Sequence, residues 1–297
     1  MTSTAHETFG RIGIWSGALN AGRARDTAHR DSLAEAVAEL DELGYGTLWL
    51  GASPAPSDAA AALAATRRIT VATGILSIWD HTAQTVAERI GALTDKERER
   101  FVLGLGVSHG PIVQGYAKPY SKMVEYLDAL DAAAPPVAAG RRVLAALGPK
   151  MLDLAAHRAL GAHPYLVTAG HTAQARAALG SGAVLAPEVT VVLDEDAERA
   201  RTTARATLAR YLRLPNYTDN LLRLGFTESD LQEGGSVRLL DALFAMGDAE
   251  QVRARVQEYV DAGADHVALQ VLPPAEHGDA LPREQWRVLA EVFADQL

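Results

Sequence analysis

The chain has 297 residues, 48% of them hydrophobic and 22% charged, with a net charge of −9. That balance fits a soluble globular protein with a sizeable core, and it argues against nucleic acid or an anionic membrane as the main partner. The absence of cysteine excludes disulfides, thiolate metal sites and cysteine nucleophiles.

In chain order, the N-terminal MTSTAHETFGR lacks a charged-then-apolar signal pattern, and no apolar run reaches the roughly 18 residues a membrane span needs. A cytoplasmic protein is the expectation. RIGIW (11–15) is the first predicted strand. SLAEAVAEL follows, with Leu33, Val37 and Leu40 on one helical face, Ser32 and Glu35 at capping-box spacing, and Gly44 where a C-terminal cap belongs. TLWLG (47–51) is the second strand, before an alanine-rich helix opening at Ser57–Asp58. ITVATGILSIW (69–79) is the third, and a helix runs from Thr82 to about Glu97. RFVLGLGV (100–107) is the fourth, before the helix SKMVEYLDAL (121–130). RVLAALG (142–148) is the fifth, leading into a helix with Pro149 in its first turn. PYLVT (164–168) is the sixth, followed by a helix near 172–179; VTVVLD (189–194) is the seventh, followed by the helix ERARTTARATLARYL. HVALQVL (266–272) is the eighth, preceded by the helix AEQVRARVQEYV between Asp248 and Gly263. Residues 212–247 exceed a normal loop and read as a helical insertion between strands seven and eight.

Eight strands, apolar on both faces and alternating with helices, predict an α/β protein: a (β/α)8 TIM barrel in one domain spanning 1–297. An open doubly wound sheet is the structural alternative. The stretch Gly104-x-Gly106 invites a dinucleotide fingerprint, but the third glycine would stand at position 109, where the chain has His109. In a barrel, the residues to weigh are those at the carboxyl ends of the strands. These are Ala52 and Ser53; Ser77, Trp79, Asp80 and His81; Ser108, His109 and Gly110; Gly148, Pro149 and Lys150; Thr168, Gly170 and His171; and Gln270 with Pro273–Pro274.

Several barrel chemistries are disfavoured by absence. RIGIWSG has no His-x-His pair, so no metal is expected; only Lys150 stands near the mouth for Schiff-base work; and of the carboxylates Asp80 and Glu188, the second is placed at the start of its strand, on the wrong face. Cofactor-driven chemistry remains. Gly148–Pro149 and Gly170–His171–Thr172 each lead into a helix N-terminus, where free N–H groups favour anions such as phosphate.

The stretches LGYGTLWLG (43–51), VATGILSIW (71–79), RFVLGLGVSHGP (100–111), YAKPYSKMVEYLDAL (116–130), LGPKMLDLAA (147–156) and AGADHVALQVL (262–272) carry a resemblance over nearly the whole chain. It resembles luciferase-like (bacterial luciferase superfamily) oxidoreductases, and within them the type that uses coenzyme F420, an 8-hydroxy-5-deazaflavin. The resemblance implies a bulge with a non-proline cis peptide at Gly74–Ile75 behind the cofactor ring, and Ser77 near the ring or its polyol. It implies Gly106, Val107 and Ser108 at the ring edge or phosphate, and Gly148, Pro149, Lys150, Val167, Thr168 and Gly170 along the phosphate tail. His109 falls where some relatives carry an acidic proton donor; its other reading is a hydrogen-bonding loop histidine. Trp15, Ser53, Trp79 and His81 are candidate substrate-pocket residues, the two tryptophans equally readable as core and His81 as a loop histidine near a helix N-terminus. Tyr217, Phe226 and Phe244 are read as pocket lining or insertion core.

The chain also departs from the family. Ala52 and Ser53 stand where many deazaflavin relatives have an acidic residue and a histidine, and the usual serine–glycine pair before the arginine of the DKERER segment is missing. The expectation is F420-dependent hydride transfer to or from a small organic substrate. The alternatives are an FMN-dependent monooxygenase of the same fold and a cofactor-binding homologue without turnover. Family analogy adds a homodimer.

Overall fold

A computed structural model of the chain describes residues 8–273 and 280–297; Pro274 and the first seven residues, which enter the readings above, lie outside them. The strands are β1 (Ile12–Ser16), β2 (Thr47–Leu50), β3 (Thr70–Thr73), β4 (Leu76–Ser77), β5 (Phe101–Gly106), β6 (Arg142–Leu144), β7 (Gly161–Ala162), β8 (Val184–Leu185), β9 (Glu188–Leu193), β10 (Phe244–Gly247) and β11 (Val267–Val271). Every pairing among them is parallel. β1 to β3 and β5 to β8 are successive neighbours, β4 continues β3 alongside β5, and β11 joins β9 to β1. β8 and β9 are two halves of one run, parted only by Ala186–Pro187. The circle therefore closes as a TIM barrel, and the open-sheet alternative falls.

Two-sided burial explains why the strands lack alternation. Trp49, Ala72, Val102, Val143, Val184, Ala186 and Ala268 form one buried cluster inside the ring with Phe9. Their strand neighbours Leu48, Leu50, Val71, Leu103, Leu105, Leu144, Leu185, Val267 and Leu269 belong to the layer packed against the helices. One large indole sets the size of its inward neighbours. Trp49 stacks on Phe9 at 5.5 Å and on His163 at 4.0 Å, with rings 9° and 7° from parallel. Its Nε1 donates to His266 Nε2 at 3.0 Å, and His266 Nδ1 donates to the Gly10 carbonyl. Small residues face this stack because no room is left: a Cβ on Gly13 would lie 2.4 Å from the Thr47 carbonyl oxygen and 2.7 Å from His266.

Four boundaries differ from the sequence reading. The first helix begins at Thr27 under Asp26, which accepts from the His29 amide, so Ser32 is interior to it. The predicted third strand breaks into β3 and β4 around a cis peptide at Gly74–Ile75. The helix expected from Thr82 to Glu97 is two, Ala83–Gly91 and Asp95–Glu99, the second opened by a Thr94–Glu97 capping box. The sixth strand is Gly161–Ala162 rather than 164–168: PYLVT turns over the barrel mouth, with Leu166 at φ +54°.

The insertion contains helices Pro215–Arg223 and Val237–Leu243 with a 3-10 segment, Glu228–Gly234, between them. It ends in β10, a strand the sequence reading missed, which pairs with the upper half of β9. A buried cluster of Leu208, Leu221, Phe226, Leu239, Leu240 and Phe244 holds it against helix Ala197–Tyr211. None of the described helices is long and apolar enough to cross a membrane.

Candidate active site at the barrel mouth

Parallel strands bring their carboxyl ends to one rim, and most of the candidate residues lie on the loops there, Val167 being turned away into the core. Backbone in the left-handed region is concentrated at the same place. Of the six non-glycine residues with positive φ among the described residues, Ala52, Ser53, Ser108 and Leu166 lie on the rim loops after β2, β5 and β7. Such conformations cost about 1–3 kcal/mol each and gather where surrounding structure enforces them, often at functional sites.

The bulge at Gly74–Ile75 is held from both sides. Trp15 Nε1 donates to the Gly74 carbonyl at 2.9 Å, and a Cβ on Gly74 would meet that same indole at 2.8 Å. Ile75 passes over Gly106, where a Cβ would lie 2.4 Å from Ile75 Cδ1, and over Gly104, whose Cβ would lie 1.9 Å from the Thr73 carbonyl oxygen. The close approach that Gly104 and Gly106 permit is therefore made by the chain itself. Ile75, Val107, Trp15 and Trp79 are each partly exposed, giving the rim an apolar patch. Trp79 Nε1 donates to the Val107 carbonyl at 2.7 Å.

Beside that patch is a small polar group. The Ser53 hydroxyl donates to Asp80 Oδ2 at 2.5 Å and accepts the Ser77 amide at 3.0 Å. Ser77 is 4% exposed, and its hydroxyl accepts the Trp79 amide. His81 stands next along the loop, its carbonyl accepting from the Tyr126 hydroxyl.

Further round the rim, after β6 and β7, two helix N-termini meet. Gly148 caps helix Pro149–Arg158 and Thr168 caps helix Ala169–Leu179, its hydroxyl accepting the His171 amide. His171 Nε2 donates to the Leu147 carbonyl at 2.9 Å and ties the two ends together. The space beside Gly148 is open, and Gly170 meets only the Thr168 hydroxyl at 3.6 Å. Pro149 and Lys150 are exposed there. Val167 is turned into the core, with its carbonyl accepting from Tyr259.

The third component is a group of aromatic rings, of which the sequence reading had named Trp15 and Tyr217 but not Tyr165 or Tyr211. Tyr165 lies 5.3 Å from Trp15, 5.5 Å from Tyr211 and 6.2 Å from Tyr217. Its hydroxyl donates to Gln270 Oε1 and meets the Tyr211 hydroxyl, each at 2.6 Å. Tyr217 belongs to the buried cluster of the insertion, and its ring lies 5.0 Å from His109. Asn216 Nδ2 donates to the Ser108 carbonyl at 3.2 Å and fastens the insertion to the loop after β5. His109 Nδ1 is buried without a partner, and burial holds the imidazole below its usual range. Gln270 was legible as a strand end and Tyr217 as part of the insertion; Tyr165 and Tyr211 carried no local signal, because separate elements supply them.

Glu188 opens β9, as expected, and its burial adds what the sequence did not show. β8 and β9 form one run, so Glu188 sits in its middle and points into the barrel, 1% exposed. It accepts from the Leu166 amide at 3.1 Å and the Thr190 hydroxyl at 2.5 Å. Desolvation pushes its carboxyl up to about 7.

The class of molecule this defines is a parallel α/β barrel whose rim gathers an apolar patch and two helix N-termini. Residues 11–266 match the family model for luciferase-like monooxygenases, and the chain belongs to that family. It is an oxidoreductase of that fold. Similar solved structures include an F420-dependent secondary alcohol dehydrogenase in complex with an F420–acetone adduct, 15% identical with TM-score 0.71, covering 97% of this chain and 99% of that one. Another is the coenzyme F420-dependent tetrahydromethanopterin reductase from Methanopyrus kandleri, 14% identical with TM-score 0.69, covering 97% and 100%. The oxygenating constituent of 3,6-diketocamphane monooxygenase from Pseudomonas putida, a type II Baeyer–Villiger monooxygenase in complex with FMN, is 14% identical with TM-score 0.67, covering 97% of each chain. A search of curated proteins found no match.

Proposed function

We propose that the chain is an F420-dependent oxidoreductase that moves a hydride between the deazaflavin and a small organic substrate bound at the barrel mouth. The observation that carries this reading is the pairing, on one rim, of an apolar patch with two joined helix N-termini that have open space beside Gly148 and Gly170. An elongated ligand with a flat ring at one end and phosphate at the other matches both. Gly74, Ile75, Ser77 and Val107 would take the ring side, with Gly106 seating Ile75; Gly148, Pro149, Lys150, Thr168 and Gly170 would take the phosphates, and Ser108 would lie between. Val167 would contribute through the placement of its loop.

When bound, the deazaflavin supplies a carbon that gives or accepts a hydride. The rest falls to the chain. Trp15 fixes the Gly74 carbonyl and so the height of the slot floor. The tyrosines and Trp79 exclude water. His109, neutral near pH 7 because it is buried, would accept a proton from a substrate hydroxyl, or return it. With Ala52 and Ser53 after β2, the Ser53–Asp80 pair is the polar group on that side and would orient the substrate, alongside His81. The FMN-dependent monooxygenase reading is favoured by the family model's own description, and a binding protein without turnover by the small residues at 52 and 53.

Parallel titrations of the purified protein with F420 and FMN, followed by intrinsic fluorescence, test the reading. The expectation is saturable quenching with F420 at lower concentration than with FMN. Tighter FMN binding would transfer the assignment to the monooxygenase, and binding without hydride transfer across a panel of alcohols and ketones would favour the homologue without turnover.

A further inference from the structure

The role above leaves Glu188 unused, although it is a carboxyl buried inside the barrel directly below the mouth. Leu166, whose amide it accepts, is a branched residue in the left-handed region, a conformation that needs an external hold. Leu166 follows Tyr165, whose ring lies against Trp15 and whose hydroxyl engages Gln270 and Tyr211. Trp15 in turn donates to the Gly74 carbonyl. An unbroken run of contacts thus links the carboxyl to the slot floor.

We propose that Glu188 is a positioning residue: by accepting the Leu166 amide it fixes the Tyr165–Leu166 turn, and through Tyr165 and Trp15 it sets the wall of the cofactor slot. The proposal rests on the slot reading above for its consequence, though not for its first step. The charged form is the stronger acceptor, since a hydrogen bond to a carboxylate is about twice as strong as one to a neutral group. The titratable groups acting with Glu188 are Tyr165 in the turn, Tyr211 closing helix Ala197–Tyr211, Tyr217 in helix Pro215–Arg223 and Tyr259 in helix Ala249–Asp261. Burial holds all four hydroxyls above their usual range, so Glu188 is the member of the group that changes charge near neutral pH.

The test uses the full chain and the variants Glu188→Gln, Glu188→Ala and Trp15→Phe. Two quantities are read from pH 5.5 to 8.5: amide hydrogen exchange at Leu166 without cofactor, and affinity for F420 and for FMN. Leu166 exchange should speed up at least tenfold in Glu188→Ala and remain near the wild-type rate in Glu188→Gln, which keeps an acceptor. Affinity should rise at least threefold with pH in the wild type, beyond any change seen in Glu188→Gln, where the ionisations of the ligand and of the histidines at the mouth remain. Trp15→Phe should keep Leu166 protected while losing that difference. An unchanged Leu166 rate in Glu188→Ala, or identical pH profiles for the wild type and Glu188→Gln, would overturn the proposal. If Glu188→Ala does not fold, Glu188→Gln and Trp15→Phe still decide the profile. If the wild type binds neither cofactor, the slot reading fails by itself, and the Leu166 exchange rates still decide the positioning.

Discussion

Gly104 and Gly106 stand two residues apart on one strand, yet their surroundings differ. At Gly104 an added Cβ meets backbone, 1.9 Å from the Thr73 carbonyl oxygen; at Gly106 it meets the tip of Ile75, a side chain that can shift. Gly104→Ala should therefore cost more stability than Gly106→Ala, whose penalty is expected within the ~1–3 kcal/mol typical of an overpacked core. Urea unfolding midpoints at matched m-values check the order. Gly106→Ala should additionally weaken cofactor binding, because it moves Ile75.

Two buried groups inside the barrel give opposite pH slopes. His163 donates from Nδ1 to the Ala186 carbonyl at 2.6 Å, and desolvation lowers its pKa from 6.5 to about 4. Between those values the unfolded chain binds more protons, so stability falls as the pH drops from about 6.5 through 4. Glu188 is raised from 4.5 to about 7. Here the folded chain binds more protons, and stability present below about 4.5 is lost as the pH rises through 7. Each span corresponds to roughly 3 kcal/mol, and the slopes oppose one another between about 4.5 and 6.5. Relative to the wild type, the slope of unfolding free energy against pH should therefore be lower between about pH 4 and 6.5 in His163→Phe and higher between about 4.5 and 7 in Glu188→Gln. At this scale the bulge at Gly74–Ile75 followed from the family resemblance, and the glycines of the strand ends were legible in the sequence. Glu188 was not, because its significance lies in Leu166, a residue 22 positions earlier that only the closed ring brings beside it.

Among the elements, strands whose two faces are both apolar announced themselves, since each must bury one side on Trp49 and the other on a helix. β7 did not. Gly161 and Ala162 have little strand propensity, and they pair because the ring demands a neighbour for β8: a Cβ on Gly161 would lie 1.9 Å from the Val184 carbonyl oxygen. PYLVT has the composition of a strand, and it turns because its Leu166 amide is taken from inside the barrel. β10 was hidden within a stretch whose hydrophobic residues serve the insertion's own cluster. Helix Pro215–Arg223 reaches the loop after β5 through Asn216. Asn216→Ala should release that loop, raising amide exchange over residues 108–116 severalfold while the melting temperature stays within about 2 °C, as expected for one half-exposed hydrogen bond of ~1 kcal/mol. Exchange that stays the same would mean that packing of Tyr217 against His109 suffices to hold the loop.

For the molecule as a whole, a ligand bound only by the folded state adds stability set by its concentration over Kd, about 2.7 kcal/mol at a hundredfold excess. F420 at that excess should shift thermal unfolding upward by a few degrees, and riboflavin, which lacks phosphate, should shift it less than FMN does. An equal response to riboflavin and FMN would remove the helix N-termini at Gly148 and Thr168 from the binding site.

β9 changes partners partway along its length: its lower continuation in β8 belongs to β7, while from Thr190 upward its free edge is taken by β10. The inserted segment is consequently woven into the staves of the vessel and does not merely hang over its opening. Grafting a foreign segment in place of 212–243 would swap the fittings and keep the seam; replacing 212–247 would unpick the wall from Thr190 to Leu193. Variation in that stretch thus has a direct route to the shape of the chamber, with no need for a moving flap.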